Sequence, residues 1–417
     1  MIALVGGTLI DGNGGAPVRD AALLIDGERI AAAGPIARVS IPNDARRVVV
    51  AGKTIMPGLI DGHTHISGQW SPDASNALRG LPELAPIRGV AAARRMLDAG
   101  FTAARAMSSA GYENVALKLA IDEGLVPGPR LIAAGPMLRA VLSATGWAPP
   151  LPYPNAPDAI INGPLEARKA VRLQHAHGVD IVETAVSGLV GNSNGTTALA
   201  TTTWRLDELE AAVDEAHRLG RQLTANCYHD DAVELCIRAG VDVIEHGCLI
   251  TERGIAALAG SRTFIVPTLC AYHAYVAEDA AASYPAWQIA AGREVEAQLR
   301  RSFASFVAGG ARVFGGSDGA LPGTGRRPGE GALELQLMVE HGLTPMQAIV
   351  ANTKIAAEAM RMDDRIGTLD PGKLADLLVV DADPLSDIGV LRRRDRLALV
   401  MKGGAVHATT LDALKSG

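Results

Sequence analysis

Ten residues constrain this chain more than any others: Met56-Pro57-Gly58-Leu59-Ile60-Asp61-Gly62-His63-Thr64-His65. The apolar run Gly58 to Ile60 predicts a short strand that runs into two histidines one residue apart. Side chains alternate faces along a strand, so His63 and His65 project the same way. Two imidazoles on one face of a strand end form half of a metal site. The same letters also describe two partly exposed loop histidines, because His-x-His is a short motif. The rest of the chain decides between the two.

Apolar runs bounded by turn signals recur through the middle of the chain: Gly58–His65, Thr102–Met107, Arg130–Gly135, Val179–Ala185, Gln222–His229, Val241–His246, Thr263–Leu269 and Ala311–Asp318. Helical patterns fill most gaps. In Leu206–Leu219, for example, Leu206, Leu209, Val213, Ala216 and Leu219 share one face, with Thr203 as the expected N-cap and Gly220 as the stop. Alternating strands and helices argue for a parallel sheet covered by helices. Eight strands over this length fit an α/β (β/α)8 TIM barrel, whose usual size is about 250 residues. A doubly wound open sheet would want a Gly-rich nucleotide loop after an early strand, and the sequence has none.

The two ends read differently. Ala3–Ile10, Ala22–Ile25, Arg29–Ala33 and Arg47–Val50 are short β-type runs cut by Gly, Asp and Pro clusters. Ala375–Asp381 and Leu397–Met401 repeat that character at the other terminus. The expectation is a small β-sandwich domain built from residues 1–56 plus 367–417, with a catalytic barrel over 57–366 inserted between them.

In a barrel of this kind the active site lies at the C-terminal ends of the strands. His63 and His65 end the first, Glu183 the fourth, His229 the fifth, His246 the sixth and Asp318 the eighth. Any one of them alone reads as a cap or a surface residue. Four histidines and two carboxylates on one rim form a donor set of the kind taken by zinc and its neighbours. A Ser-His-Asp hydrolase would need a nucleophile elbow such as GxSxG, which is missing.

Composition removes other classes. Hydrophobic residues make up 48% and charged residues 20%, which is ordinary for a globular chain. A net charge of −6 without a Lys/Arg stripe argues against nucleic acid. No apolar run approaches the roughly 18 residues of a membrane span, and the start lacks a signal-peptide pattern. Cys227, Cys236, Cys248 and Cys270 show no CxxC spacing and read as buried thiols of a cytoplasmic protein.

With these residues placed, the chain resembles the metal-dependent amidohydrolase superfamily, and within it the imidazolonepropionase-like and Xaa-Pro dipeptidase-like branch. The similarity rests on Pro57–His65, Pro127-Gly128-Pro129-Arg130-Leu131, Val243-Ile244-Glu245-His246-Gly247, Gly316-Ser317-Asp318 and Gly367–Leu377. The resemblance implies a homo-oligomer and a small-molecule substrate. It also implies a metal-activated hydroxide that attacks a carbonyl-like carbon. His63, His65 and Asp318 would hold one metal, and His229 and His246 the other. Zn2+ is the expected ion, one or two per chain, with Mn2+, Co2+ and Fe2+ as alternatives.

The chain departs from that branch in three places. Glu183 stands where relatives carry a carboxylated lysine that bridges two metals, so it is expected to replace that lysine as a ligand. Ser143-Ala144-Thr145-Gly146-Trp147 has Trp where relatives tend to carry Gly-His. Asn226-Cys227-Tyr228-His229 stands where relatives commonly have His-Ala-His. Trp70, Trp147, Ser187, Tyr228 and His273 are the candidate substrate-binding residues. Together they suggest a hydrophobic or aromatic amide, carbamate or N-acyl amino acid. Asp318 is expected to serve as general base and acid, with His246 assisting. Two alternatives stand beside this reading. One is a mononuclear deaminase or cyclic amidine or lactam hydrolase; the other is a scaffold that has lost its metals.

Overall fold

At Gly58 the chain passes from one body of the fold to the other, and a side chain there would overlap Thr102. In this computed structural model the described residues are 1–68, 81, 83–140, 159–188, 201–278, 280, 284, 286–319 and 327–415. Trp70 and Trp147 lie outside them.

Before Gly58 the chain forms β1 (Ile2–Leu9), β2 (Val18–Asp26), β3 (Arg29–Pro35), β4 (Arg46–Val49) and β5 (Thr54–Pro57). After it come the barrel strands β6 (Leu59–Thr64), β7 (Phe101–Ala106) and β8 (Arg130–Ala133). Two short strands follow, β9 (Leu138–Ala140) and β10 (Ile160–Ile161). The barrel continues with β11 (Ile181–Ala185), β12 (Gln222–Cys227), β13 (Val243–His246), β14 (Phe264–Val266) and β15 (Arg312–Val313). Strands β16 (Leu377–Val380), β17 (Leu397–Lys402) and β18 (Ala405–Thr409) return to the first body.

The barrel is a parallel ring. β6, β7 and β8 pair in order, and so do β11 through β15. A parallel bridge from Ala134 to Ile181 joins the two sets, and a second from Thr64 to Gly319 closes the ring. All eight expected strands are present. Closure brings β6 hard against the segment after β15: Gly62 N donates to Gly315 O at 2.9 Å, and Asp318 N to His63 O at 2.7 Å. Only glycine permits that approach, because a Cβ at Gly316 would stand 2.6 Å from His63 N. Phe264, Val266, Phe314, Met360 and Ile366 are among the apolar residues packed with Ile60 on β6, while the covering helices bury a separate, larger core.

The terminal segments share one eight-stranded sheet, ordered β18-β17-β16-β5-β1-β2-β3, with β4 added beside β1. One core draws on both ends: Leu4, Leu23, Ile25 and Ile55 pack with Leu377, Val379, Leu399 and Met401. Arg130, at the start of barrel strand β8, grips Asp376 with two hydrogen bonds of 2.9 and 3.0 Å.

One helix start differs from expectation. The helix Leu206–Arg218 is capped at Arg205, whose N–H donates to Glu208 at 2.9 Å. Thr203 instead turns its hydroxyl to the carbonyls of Ala185 and Val186, each at 3.2 Å, and so buttresses the end of β11. A buried pair of carbonyls outcompetes an exposed cap.

Removing residues 367–417 should strip β16 and β17 from that sheet and leave half of its core facing water. The truncated chain is expected to be insoluble, or to bind an apolar dye strongly; a soluble, active truncation would refute the shared core.

Candidate metal centre

The site begins with a buried charge. Arg105 on β7 is fully buried; its Nη2 donates to Glu245 Oε1 at 2.7 Å and its Nη1 to Gly62 O at 3.0 Å. The Thr224 hydroxyl also donates to Glu245. The second Glu245 oxygen stands 2.6 Å from His63 Nδ1. Burial raises the Glu245 carboxyl, but Arg105 and then His63 outweigh it and hold it at about 2. Burial likewise lowers His63, and Glu245 with Asp318 reverses that, so the imidazole lies well above its usual range. The field that favours a proton on His63 also favours a cation at its Nε2.

His65 Nδ1 stands 3.1 Å from Ser108 O. A carbonyl only accepts, so Nδ1 carries the hydrogen and the Nε2 lone pair faces inward. That Nε2 lies 3.2 Å from Asp318 Oδ1, and His63 Nε2 lies 3.4 Å from the same oxygen. Asp318 Oδ1 is buried without a hydrogen-bond partner. Zinc bonds of about 2.0–2.2 Å put tetrahedral ligand atoms about 3.3 Å apart, which matches this spacing. By distance, His246 joins as well: ligand atoms of His63, His246 and Asp318 all lie within 4.8 Å of one another. The donor set fits a divalent cation.

The backbone is strained where these groups converge. His246, Thr268 and Asp318 adopt φ of 75°, 49° and 50°. Such left-handed positions cost about 1–3 kcal/mol each in non-glycine residues and need support from their surroundings. Asp61 supplies part of it, accepting from Ser317 N at 2.9 Å and Ser317 Oγ at 2.7 Å, directly before Asp318. Thr268 Oγ1 stands 2.7 Å from His246 Nδ1. Glu334 takes the N–H groups of Leu269 and Cys270 at 2.9 and 2.8 Å, fixing the turn that carries Thr268.

Glu183 lies on β11 with both oxygens engaged. Oε2 accepts from Ser108 N at 2.6 Å and Oε1 from Asn226 Nδ2 at 2.7 Å. Arg105, on the neighbouring strand β7, pairs with Glu245. His229 follows β12, and among the described residues its buried Nε2 has no hydrogen-bond partner. The strand ends at Cys227, and His229 caps the helix Asp230–Ala239, with Asp231, Asp230 and Arg253 as its charged neighbours. The inward position on β12 belongs to Asn226, because alternate residues of a strand share a face and Thr224 reaches Glu245. Ser187 Oγ accepts from Tyr228 N at 3.0 Å and so shapes the β11–β12 rim. The buried Tyr228 ring stacks on His246 at 5.2 Å and 9°, and Tyr272 meets His246 edge-on at 6.1 Å. His273 is half-buried in the short helix Leu269–His273.

Sequence reasoning assigned no role to Asp61, Arg105, Glu245, Asn226 or Thr268. Asp61 and Glu245 were visible as polar letters inside the two histidine motifs. Arg105 stood out as a charge in an otherwise apolar strand.

A fold of this kind with a His-x-His strand and a strand-eight Asp defines a class of metal-dependent hydrolases. The chain belongs to the amidohydrolase family, whose model matches residues 54–406. It is similar to ochratoxinase from Aspergillus niger, 29% identical over 429 residues that cover 95% of this chain and 85% of that one. The crystal structure of that enzyme superimposes with a TM-score of 0.84 at 25% identity, covering 98% of this chain and 95% of the other. A prolidase complexed with N-methylphosphonate-L-proline superimposes with a TM-score of 0.87 at 30% identity, covering 98% and 100%. The chain is a metal-dependent hydrolase acting on C–N bonds, and among the described residues no helix is long and apolar enough to cross a membrane.

Glu245→Gln should leave the Arg105 charge buried and unpaired, at a cost of about 3–5 kcal/mol in urea unfolding. The sign with pH follows from a depressed carboxyl. Its contribution is complete above the ordinary 4.5 and is lost as pH falls toward about 2. The variant should therefore show a flatter acid limb than the wild type, and equal limbs would contradict the pairing.

Proposed function

We propose that this chain hydrolyses an amide, carbamate or N-acyl amino acid with a hydrophobic or aromatic group beside the scissile C–N bond. The observation that carries it is the unpartnered Asp318 Oδ1 facing the bare Nε2 atoms of His63 and His65. These three residues would hold the divalent metal, with Zn2+ as the expected ion. When bound, it lowers the pKa of water toward about 7 and polarises a carbonyl.

The chain's own groups do the rest. Asp318 would help hold the cation, and its carboxylate would take the proton from the attacking water and return it to the leaving nitrogen. The Glu245 contact keeps the His63 Nε2 lone pair aimed inward, and the Ser108 carbonyl does so for His65. Tyr228, Tyr272 and Tyr275 are buried close enough to Asp318 that its charge adds to burial in raising their phenols. Three aromatic rings beside the reacting groups favour an apolar substituent over a charged one. The names of the relatives, an ochratoxinase and a prolidase, support C–N bond substrates.

A hydrolysis screen across N-acyl amino acids, aryl amides, carbamates and ureas tests the substrate class, with ammonia release separating deamination from amide cleavage. His63→Ala and Asp318→Asn should each lower turnover at least a thousandfold while the far-UV spectrum stays unchanged. Near-wild-type activity in either variant after metal stripping and reconstitution would sink the reading.

A further inference from the structure

The three buried histidines of the site do not share one tautomer. His65 donates from Nδ1 to a carbonyl and His63 from Nδ1 to a carboxylate, so both leave Nε2 as a bare lone pair. His246 is held the other way round. Asn226 Nδ2 lies 2.7 Å from Glu183 Oε1 and 3.3 Å from the Thr184 carbonyl oxygen. The carbonyl only accepts, so the amide nitrogen belongs on that side and Oδ1 belongs on the other. Asn226 Oδ1 then sits 2.7 Å from His246 Nε2, which must carry the hydrogen. On the far side of the ring, Nδ1 is left to accept from the Thr268 hydroxyl at 2.7 Å. Neither nitrogen of His246 offers a lone pair to a metal.

We infer that this chain binds one divalent metal rather than two, and that the hydrogen-bonded chain Glu183–Asn226–His246 stands where a second metal's ligands would be. The inference rests on the reading of His63, His65 and Asp318 as the metal site. A second ion would need donors from β11, β12 and β13. On β11 each Glu183 oxygen already accepts a hydrogen bond, one from Ser108 N–H and one from Asn226 Nδ2. The β12 position holds an amide whose oxygen is already bonded, and the β13 imidazole presents N–H. Freeing the Glu183 carboxylate for an ion would cost its two buried hydrogen bonds, from Ser108 N and from Asn226 Nδ2. Three protein donors with an open position are also what a catalytic zinc site uses.

Glu183 thereby becomes a positioning residue. Through Ser108, whose N–H it binds and whose carbonyl orients His65, it steadies the metal side. Through Asn226 it fixes His246. Proximity alone groups His246 with His63 and Asp318, but the direction of its hydrogen bonds removes it from the ligand set.

The test is stoichiometry, read without turnover. The full-length chain, stripped and titrated with Co2+, should reach constant visible absorption at one equivalent, and mass spectrometry of the Zn2+ form should find one ion per chain. His246→Ala should keep that ion with less than a threefold change in dissociation constant, whereas His65→Ala should weaken it at least a hundredfold. Far-UV spectra check that each variant folds; the wild-type titration decides the matter even if one does not. Saturation at two equivalents, or a loss in His246→Ala as large as in His65→Ala, would overturn the single-metal inference and leave the hydrolase reading standing. Failure of the wild type to retain any metal would overturn both.

Discussion

Everything at the rim depends on one buried ion pair. Arg105 has no exposure, and a lone guanidinium inside a barrel would be prohibitively costly without a partner. Glu245 supplies that partner and has an oxygen left for His63. The pair therefore does two things at once. It ties β7 to β13 across the barrel interior, and it sets which nitrogen of His63 carries the hydrogen. A metal ligand aimed by a carboxylate is both better oriented and more basic than one aimed by water.

The same logic, hydrogen bonds deciding lone pairs, runs around the whole site. Backbone carbonyls and carboxylates are acceptors only, so each fixes the polarity of the group it meets. The Ser108 carbonyl assigns His65, and the Thr184 carbonyl assigns Asn226, which in turn assigns His246. Strained turns at His246, Thr268 and Asp318 put these groups where the network needs them. Asp61 and Glu334, both buried, hold the flanking backbone in place. Membership of the amidohydrolase family says that a metal belongs here, whereas the hydrogen-bond polarity says which side chains have lone pairs to give it.

The pocket wall shows how a family scaffold is turned to a particular chemistry. Tyr228 stacks flat on His246, Tyr272 packs against its edge, and Tyr275 lies near Asp318. Asn226 reaches His246 from the fifth barrel strand, and Tyr228 follows directly after that strand.

Much of this was legible in the letters. The eight apolar runs marked the eight barrel strands because turn residues bound them and helical periodicity separates them. His63, His65 and Asp318 stood at strand ends, where a barrel places its chemistry. Single-sequence reading failed where the last residue of a strand had to be told from the first of a helix. It therefore named His229 and gave no role to Asn226, which strand alternation turns inward. It also had no way to pair Arg105 with Glu245, or Asn226 with His246, since those partners are 140 and 20 residues apart. Residue type and strand alternation, both local properties, thus determined the strands, the rim and the class of chemistry. The tautomer of each histidine depends on which acceptor lies across the barrel, and only the closed tertiary structure decided that.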